Sequence, residues 1–175
     1  MIIKTHFKAL FCITLFFISY HATAKQDPLP QPSGQIVLVV SGHINVKNKG
    51  DRAVFDDHSI RSFPAHMAKQ TMAWNNNVEK TYTGISLEEI LQRLDAEGRN
   101  IRLKTKNGEE LQLRMDHLLT LHPILAYATE DGGIPQKQAP LILVFNPNNQ
   151  LNFDEELTEL AHKELYGIHR IIIET

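Results

Sequence analysis

The sole cysteine of this 175-residue chain, Cys12, lies in an N-terminal apolar run, and its position limits how the rest can be held together. Lys4 and Lys8 give the run a weakly basic start, residues 9–20 are rich in Phe, Leu and Ile, and Ala22-Thr23-Ala24 supplies the small-x-small pattern that a signal peptidase accepts. These are the three parts of a cleavable secretory signal. The apolar stretch is short for a bilayer-spanning helix, which argues against a permanent anchor. Cys12 comes too early, after the wrong neighbours, for a lipoprotein cleavage box. Cleavage is expected after Ala24, removing residues 1–24 and delivering the remainder to the periplasm with no membrane span. That remainder has no disulfide, no thiolate metal ligand and no cysteine nucleophile, so a packed core must hold it.

The length suits one domain, expected over residues 35–175 behind a proline-rich arm at 25–34. An apolar fraction of 42% supports a sizeable core and excludes a disordered chain. Loss of Lys4 and Lys8 leaves 16 basic against 20 acidic side chains, a net charge near −4. Such a surface neutralises phosphates poorly, which argues against nucleic-acid partners.

Three alternating prolines (Pro28, Pro30 and Pro32) make the arm extended. The β-branched block Ile36-Val37-Leu38-Val39-Val40 reads as a buried strand within 35–46, followed by a turn at 48–51. Asp56 or Asp57 can cap a short helix over 58–63 that Pro64 closes. Residues 65–74 read as extended, and 78–83 as a strand ending at Gly84. Ser86 and Glu89 have the spacing of a reciprocal capping box. Leu87, Ile90, Leu91 and Leu94 then form one apolar helix face, and Gly98 suits the left-handed position after the helix. Residues 101–105 and 111–114 alternate about Asn107-Gly108, a hairpin signal. Asp116 can cap a short turn through Leu119. Strands are expected at 124–128, 141–145 and 169–173, a turn at Asp131-Gly132-Gly133, and a surface helix at 153–165. Strands and helices mix without βαβ regularity, so the expected class is α+β, with mixed β-sheets and a few short helices.

In this order the segments resemble the oxidoreductase molybdopterin-binding domain family, the fold of sulfite oxidase. The resemblance is carried by Val39-Val40-Ser41-Gly42-His43-Ile44 and by Trp74 followed by Tyr82-Thr83-Gly84-Ile85-Ser86-Leu87. Further along it rests on Leu125-Ala126-Tyr127 with Asp131-Gly132, on Ala139-Pro140-Leu141-Ile142-Leu143-Val144-Phe145, and on Ile168-His169-Arg170-Ile171-Ile172-Ile173. Family enzymes hold molybdenum through a cysteine a few residues before the tryptophan. Here Lys69-Gln70-Thr71-Met72-Ala73-Trp74 puts Gln70 or Thr71 in that place. Neither side chain can act as an anionic soft ligand. Ala139 also replaces the glycine expected before Pro140. The resemblance therefore implies the scaffold with a ligand pocket about Gln70, Thr71, Trp74 and His43, no catalytic residue, and no cofactor. The implied role is a binding or accessory module, a pseudoenzyme that could present a small-molecule-dependent surface to a membrane-bound sensor or another envelope protein. The alternative is an active oxidoreductase that holds molybdopterin without a cysteine.

Other signals have plainer readings. Seven histidines survive cleavage, at 43, 58, 66, 117, 122, 162 and 169. No two of them are three or four apart, so no helical metal pair is expected. Trp74 reads first as a packing residue and second as a cleft wall. Ser41 with His43, and Asp56 or Asp57 with His58, lack a nucleophile elbow. Asp154, Glu155, Glu156 and Glu159 complement the dipole of the last helix.

Overall fold

The computed structural model describes residues 27–73, 76–134, 140–145 and 155–175. It is an α+β arrangement, mostly strands with a few short helices. β1 (Ile36–Gly42), β2 (Ala53–Asp56) and α1 (Asp57–Arg61) are followed by β3 (His66–Thr71), β4 (Glu79–Ser86) and α2 (Leu87–Arg93). Next come β5 (Asn100–Thr105), β6 (Glu110–Arg114), α3 (Met115–Thr120), β7 (Ile124–Thr129) and β8 (Gly132–Gly133). β9 (Ile142–Val144), α4 (Glu155–Ala161), β10 (Leu165–Tyr166) and β11 (Ile168–Glu174) complete the order.

The strands form two sheets, ordered β2-β1-β11-β5-β6 and β10-β9-β7-β4-β3, with β8 paired to β7. β1 and β11 run parallel, so the first and last strands of the chain lie side by side at the centre of the first sheet. Only alternate side chains of β1 are fully buried. Leu38 and Val40 point into the core while Val37 and Val39 are half-buried, so the apolar block is less enclosed than its composition suggests. One core joins both sheets to α2. It contains Leu38 and Phe55 from the first sheet, Ile85 and Leu125 from the second, and Ile90 and Leu91 from the helix. The second sheet also curls, because β3 comes within 8 Å of β9, three places away in strand order. A smaller cluster on its other face contains Ala68, Met72, Tyr82, Ala126, Ile142 and Val144.

The apolar face expected on α2 is present. Leu87, Ile90, Leu91 and Leu94 are all buried, each burial stabilising by about 1.5–3 kcal/mol. The capping box there is only half formed. The Ser86 hydroxyl accepts from the Glu89 amide at a long 3.4 Å. The Glu89 carboxylate instead meets His66 Nε2 at 2.8 Å. The reciprocal box is at α1, where Asp56 Oδ1 accepts from the Ser59 amide and the Ser59 hydroxyl accepts from the Asp56 amide. α3 starts after Arg114 with no side-chain cap, so Asp116 lies inside the first turn rather than before it.

Two glycines do other work than expected. Gly84 does not end a strand but lies inside β4, at the irregularity where β4 crosses β7. A Cβ there would sit 2.3 Å from the Leu125 carbonyl oxygen. Gly98 is not the left-handed residue after α2. Asp95 takes that conformation with φ 48°. Gly98 is needed because a Cβ would sit 2.3 Å from Ile173 Cγ2 and 2.5 Å from the Glu174 carbonyl oxygen. The strand expected over 35–46 stops at Gly42, with Ile44 making an isolated bridge to Ala96. α4 is shorter than the helix expected over 153–165, and Leu165 belongs to β10.

The described part of the proline arm lies against the domain. Leu29 is buried in the main core, and the amides of Ser33 and Gly34 donate to Asp56 Oδ2 at 2.7 and 2.8 Å. The Asn48 carboxamide donates to the carbonyls of Pro30 and Val54 and accepts from the Val54 amide. The Gln31 side-chain Nε2 donates to the Asn48 backbone carbonyl at 2.8 Å.

Candidate functional site

β3 is an edge strand, and its period-2 alternation decides which side chains reach inward. His66, Ala68 and Gln70 share the covered face, whereas Met67, Lys69 and Thr71 are exposed. Gln70 Oε1 accepts a hydrogen bond from the Phe145 amide at 2.9 Å, joining the end of β3 to the residue after β9. Met72 is fully buried just beyond. The Ala73 amide donates to Glu164 Oε1. Beneath these lies Tyr82, whose phenol is pushed up to about 12 by burial first and by the nearby Glu164 carboxylate second. Tyr166 packs on the same cluster, and its hydroxyl is buried without a hydrogen-bond partner among the described residues.

Of the expected pocket residues, Gln70 and Thr71 are adjacent at this strand end. Trp74 lies outside the described residues, as do Ala139 and Asp154. His43 is elsewhere. It is exposed at the end of β1, where its amide donates to the Ile173 carbonyl and its carbonyl accepts from the Glu97 amide, both at 3.0 Å. His43 therefore belongs with the first sheet and the segment after α2, not with Gln70. Among the described residues, no three His, Cys, Asp or Glu side chains gather closely enough to hold a metal ion.

A sizeable cavity lies away from Gln70. It is a groove of about 870 Å³ between α2 and the corner formed by β5, β6 and α3. Arg99, Asn100 and Arg114 line it from the strand ends, and Glu88, Gln92 and Asp95 from α2 and the turn after it. Arg114 donates to both carboxylate oxygens of Asp116, which pulls that group down to about 2. A smaller cavity of about 350 Å³ also adjoins α2, sharing Glu88 and Gln92 with the groove and lined further by the His66–Glu89 pair, Met67 and His122. Sequence reasoning did not place these residues together. The capping-box spacing assigned Glu89 to the helix end, and nothing local marks Arg99 or Arg114 as neighbours of α2.

Compared with known proteins, the chain matches no family model and has no significant match to a curated protein.

Proposed function

We propose that this chain is an exported periplasmic binding or accessory module, built on the scaffold of the sulfite oxidase-type molybdopterin-binding domain and working without redox catalysis. The observation that carries this reading is the Gln70–Phe145 hydrogen bond. At the place where the resembled enzymes offer a thiolate, this chain offers a neutral amide whose oxygen is already engaged in closing the second sheet. The adjacent Thr71 is exposed and equally neutral. These donors do not fit a molybdenum–thiolate centre, which needs an anionic, soft ligand. Support for the scaffold comes from where the resembling segments fall: on β1, on β4 running into α2, on β7 and β8, on β9, and on β11. Among the described residues, no helix is long and apolar enough to cross a membrane. A module of this kind would act by presenting a surface to a membrane-bound sensor or another envelope protein.

The test is elemental analysis of protein matured and isolated from its native periplasm. Molybdenum at background level is expected. One molybdenum per chain would overturn the reading and restore the molybdopterin-dependent oxidoreductase.

A further inference from the structure

The groove beside α2 has a charge distribution that an ordinary surface depression lacks. Its floor is apolar, formed by Leu91, Ala96, Met115 and Leu119. Leu91 belongs to the main core, and the other three pack against it. The α2 side is acidic. Glu88 and Gln92, at i and i+4 on α2, share one helical face, and Asp95 lines the groove from the turn after the helix. Glu88 Oε1 is held by Gln92 Nε2 at 3.2 Å and Asp95 Oδ2 by Asn45 Nδ2 at 3.0 Å, so both carboxylates are fixed in place with an oxygen to spare.

The strand side is basic, and one of its two cations is uncommitted. Arg114 is neutralised by Asp116. Arg99 makes no ion pair or side-chain hydrogen bond among the described residues, yet its backbone is fixed at both ends. Its amide donates to the Glu174 carbonyl at 2.9 Å, and its carbonyl accepts from the Met115 amide at 2.8 Å. A guanidinium on an anchored backbone and hydrogen-bonded carboxylates, lining one groove with an apolar floor, complement a ligand with an anion at one end and a cation at the other. The volume lies in the range of small-molecule sites.

We infer that the groove between α2 and the β5–β6–α3 corner binds a small zwitterion with an apolar body, an amino acid or short peptide whose carboxylate meets Arg99 and whose ammonium meets Glu88 and Asp95. This rests on the binding-module reading and gives that module a ligand class. The apolar side chain covers Leu91, Met115 and Leu119, and the two charged ends fix its direction.

Calorimetric titration of the mature chain tests the inference, with leucine, leucyl-alanine, N-acetyl-leucyl-alanine and leucyl-alaninamide as probes. Saturable binding of leucine or of the dipeptide is expected, the tighter of the two identifying the source of the zwitterion. Removing either charge from the dipeptide weakens binding about tenfold, the scale of one charge-assisted hydrogen bond. Arg99→Gln abolishes the preference for the free carboxylate over the amide while keeping the preference for the free amine, and Arg99→Lys retains part of both. Arg170→Gln, at an exposed position on β11, changes neither. Thermal melts of each variant confirm folding. Equal binding of the blocked and free dipeptides, or no saturable binding of any probe, overturns the inference. A chain free of molybdenum that binds no zwitterion sinks this inference alone, whereas bound molybdenum sinks the reading beneath it.

Discussion

The side-chain oxygen of Gln70 and the backbone amide of Phe145, 75 positions apart in sequence, meet at 2.9 Å and tie the edge of the second sheet back to β9. Replacing Gln70 by leucine leaves the Phe145 amide without this acceptor, at a cost of about 1–3 kcal/mol. Gln70→Glu keeps an acceptor and loses less. Urea unfolding of the two variants measures the difference. Equal stability of Gln70→Leu and the native chain would show that the bond contributes nothing.

Asp56 gives the fold a definite acid sensitivity. The Ser59 hydroxyl and amide, with the Gly34 and Ser33 amides, hold its carboxyl well below the usual carboxylate range, against an opposing effect of burial. A carboxylate depressed by folding stabilises above its unfolded pKa of about 4, and that contribution is lost as pH falls below it. Asp56→Asn should therefore melt lower than the native chain at neutral pH, with the gap narrowing below about pH 4. A gap unchanged on acidification would contradict the assigned hydrogen bonds.

Tyr82 has the opposite sign at the alkaline end. Its phenol ordinarily ionises at 10.0 but is held to about 12 in the folded chain. Stability should accordingly fall as pH rises from 10.0 towards about 12, because the unfolded chain ionises first. Phenolate absorbance should show one late tyrosine, absent in Tyr82→Phe. If the late step survives that substitution, it belongs to another residue.

The two glycine environments predict contrasting tolerance. Gly98→Ala forces a methyl onto Ile173 Cγ2 and the Glu174 carbonyl, and should cost about 1–3 kcal/mol, as overpacking does. Gly108, in the β5–β6 loop with φ 88°, has nothing within 4 Å of a built Cβ. Asparagine tolerates left-handed backbone, so Gly108→Asn should cost less than about 1 kcal/mol. Chemical denaturation of the pair decides it, and a reversed order would mean that strain at the loop outweighs the clash at Gly98.

Local signals were the legible part of the sequence. The apolar spacing of α2, the Asn107-Gly108 hairpin, the strand after Pro123 and the closing strand each depend on residues within one element. What could not be read was set by contacts across the fold. Gly98 has the sequence context of a helix-ending glycine, and only the approach of Ile173 shows its other role. Ser86 and Glu89 have capping-box spacing, but His66 draws the glutamate away. The resemblance joins His43 to Gln70 in one pocket, whereas His43 follows β1 of the first sheet and Gln70 lies in β3 of the second. The Ala73–Glu164 bond spans 91 positions, and no local pattern announces it.

Asn48 bears on how this protein keeps to itself. A strand at the margin of a sheet normally offers its peptide groups to any passing chain. Along β2, a single carboxamide gives Val54 both a donor and an acceptor, as a neighbouring strand would; the Pro30 carbonyl also accepts from that carboxamide, and the Gln31 side chain donates to the Asn48 backbone carbonyl. The arm thus serves as a selvedge for the first sheet, whose opposite margin is β6.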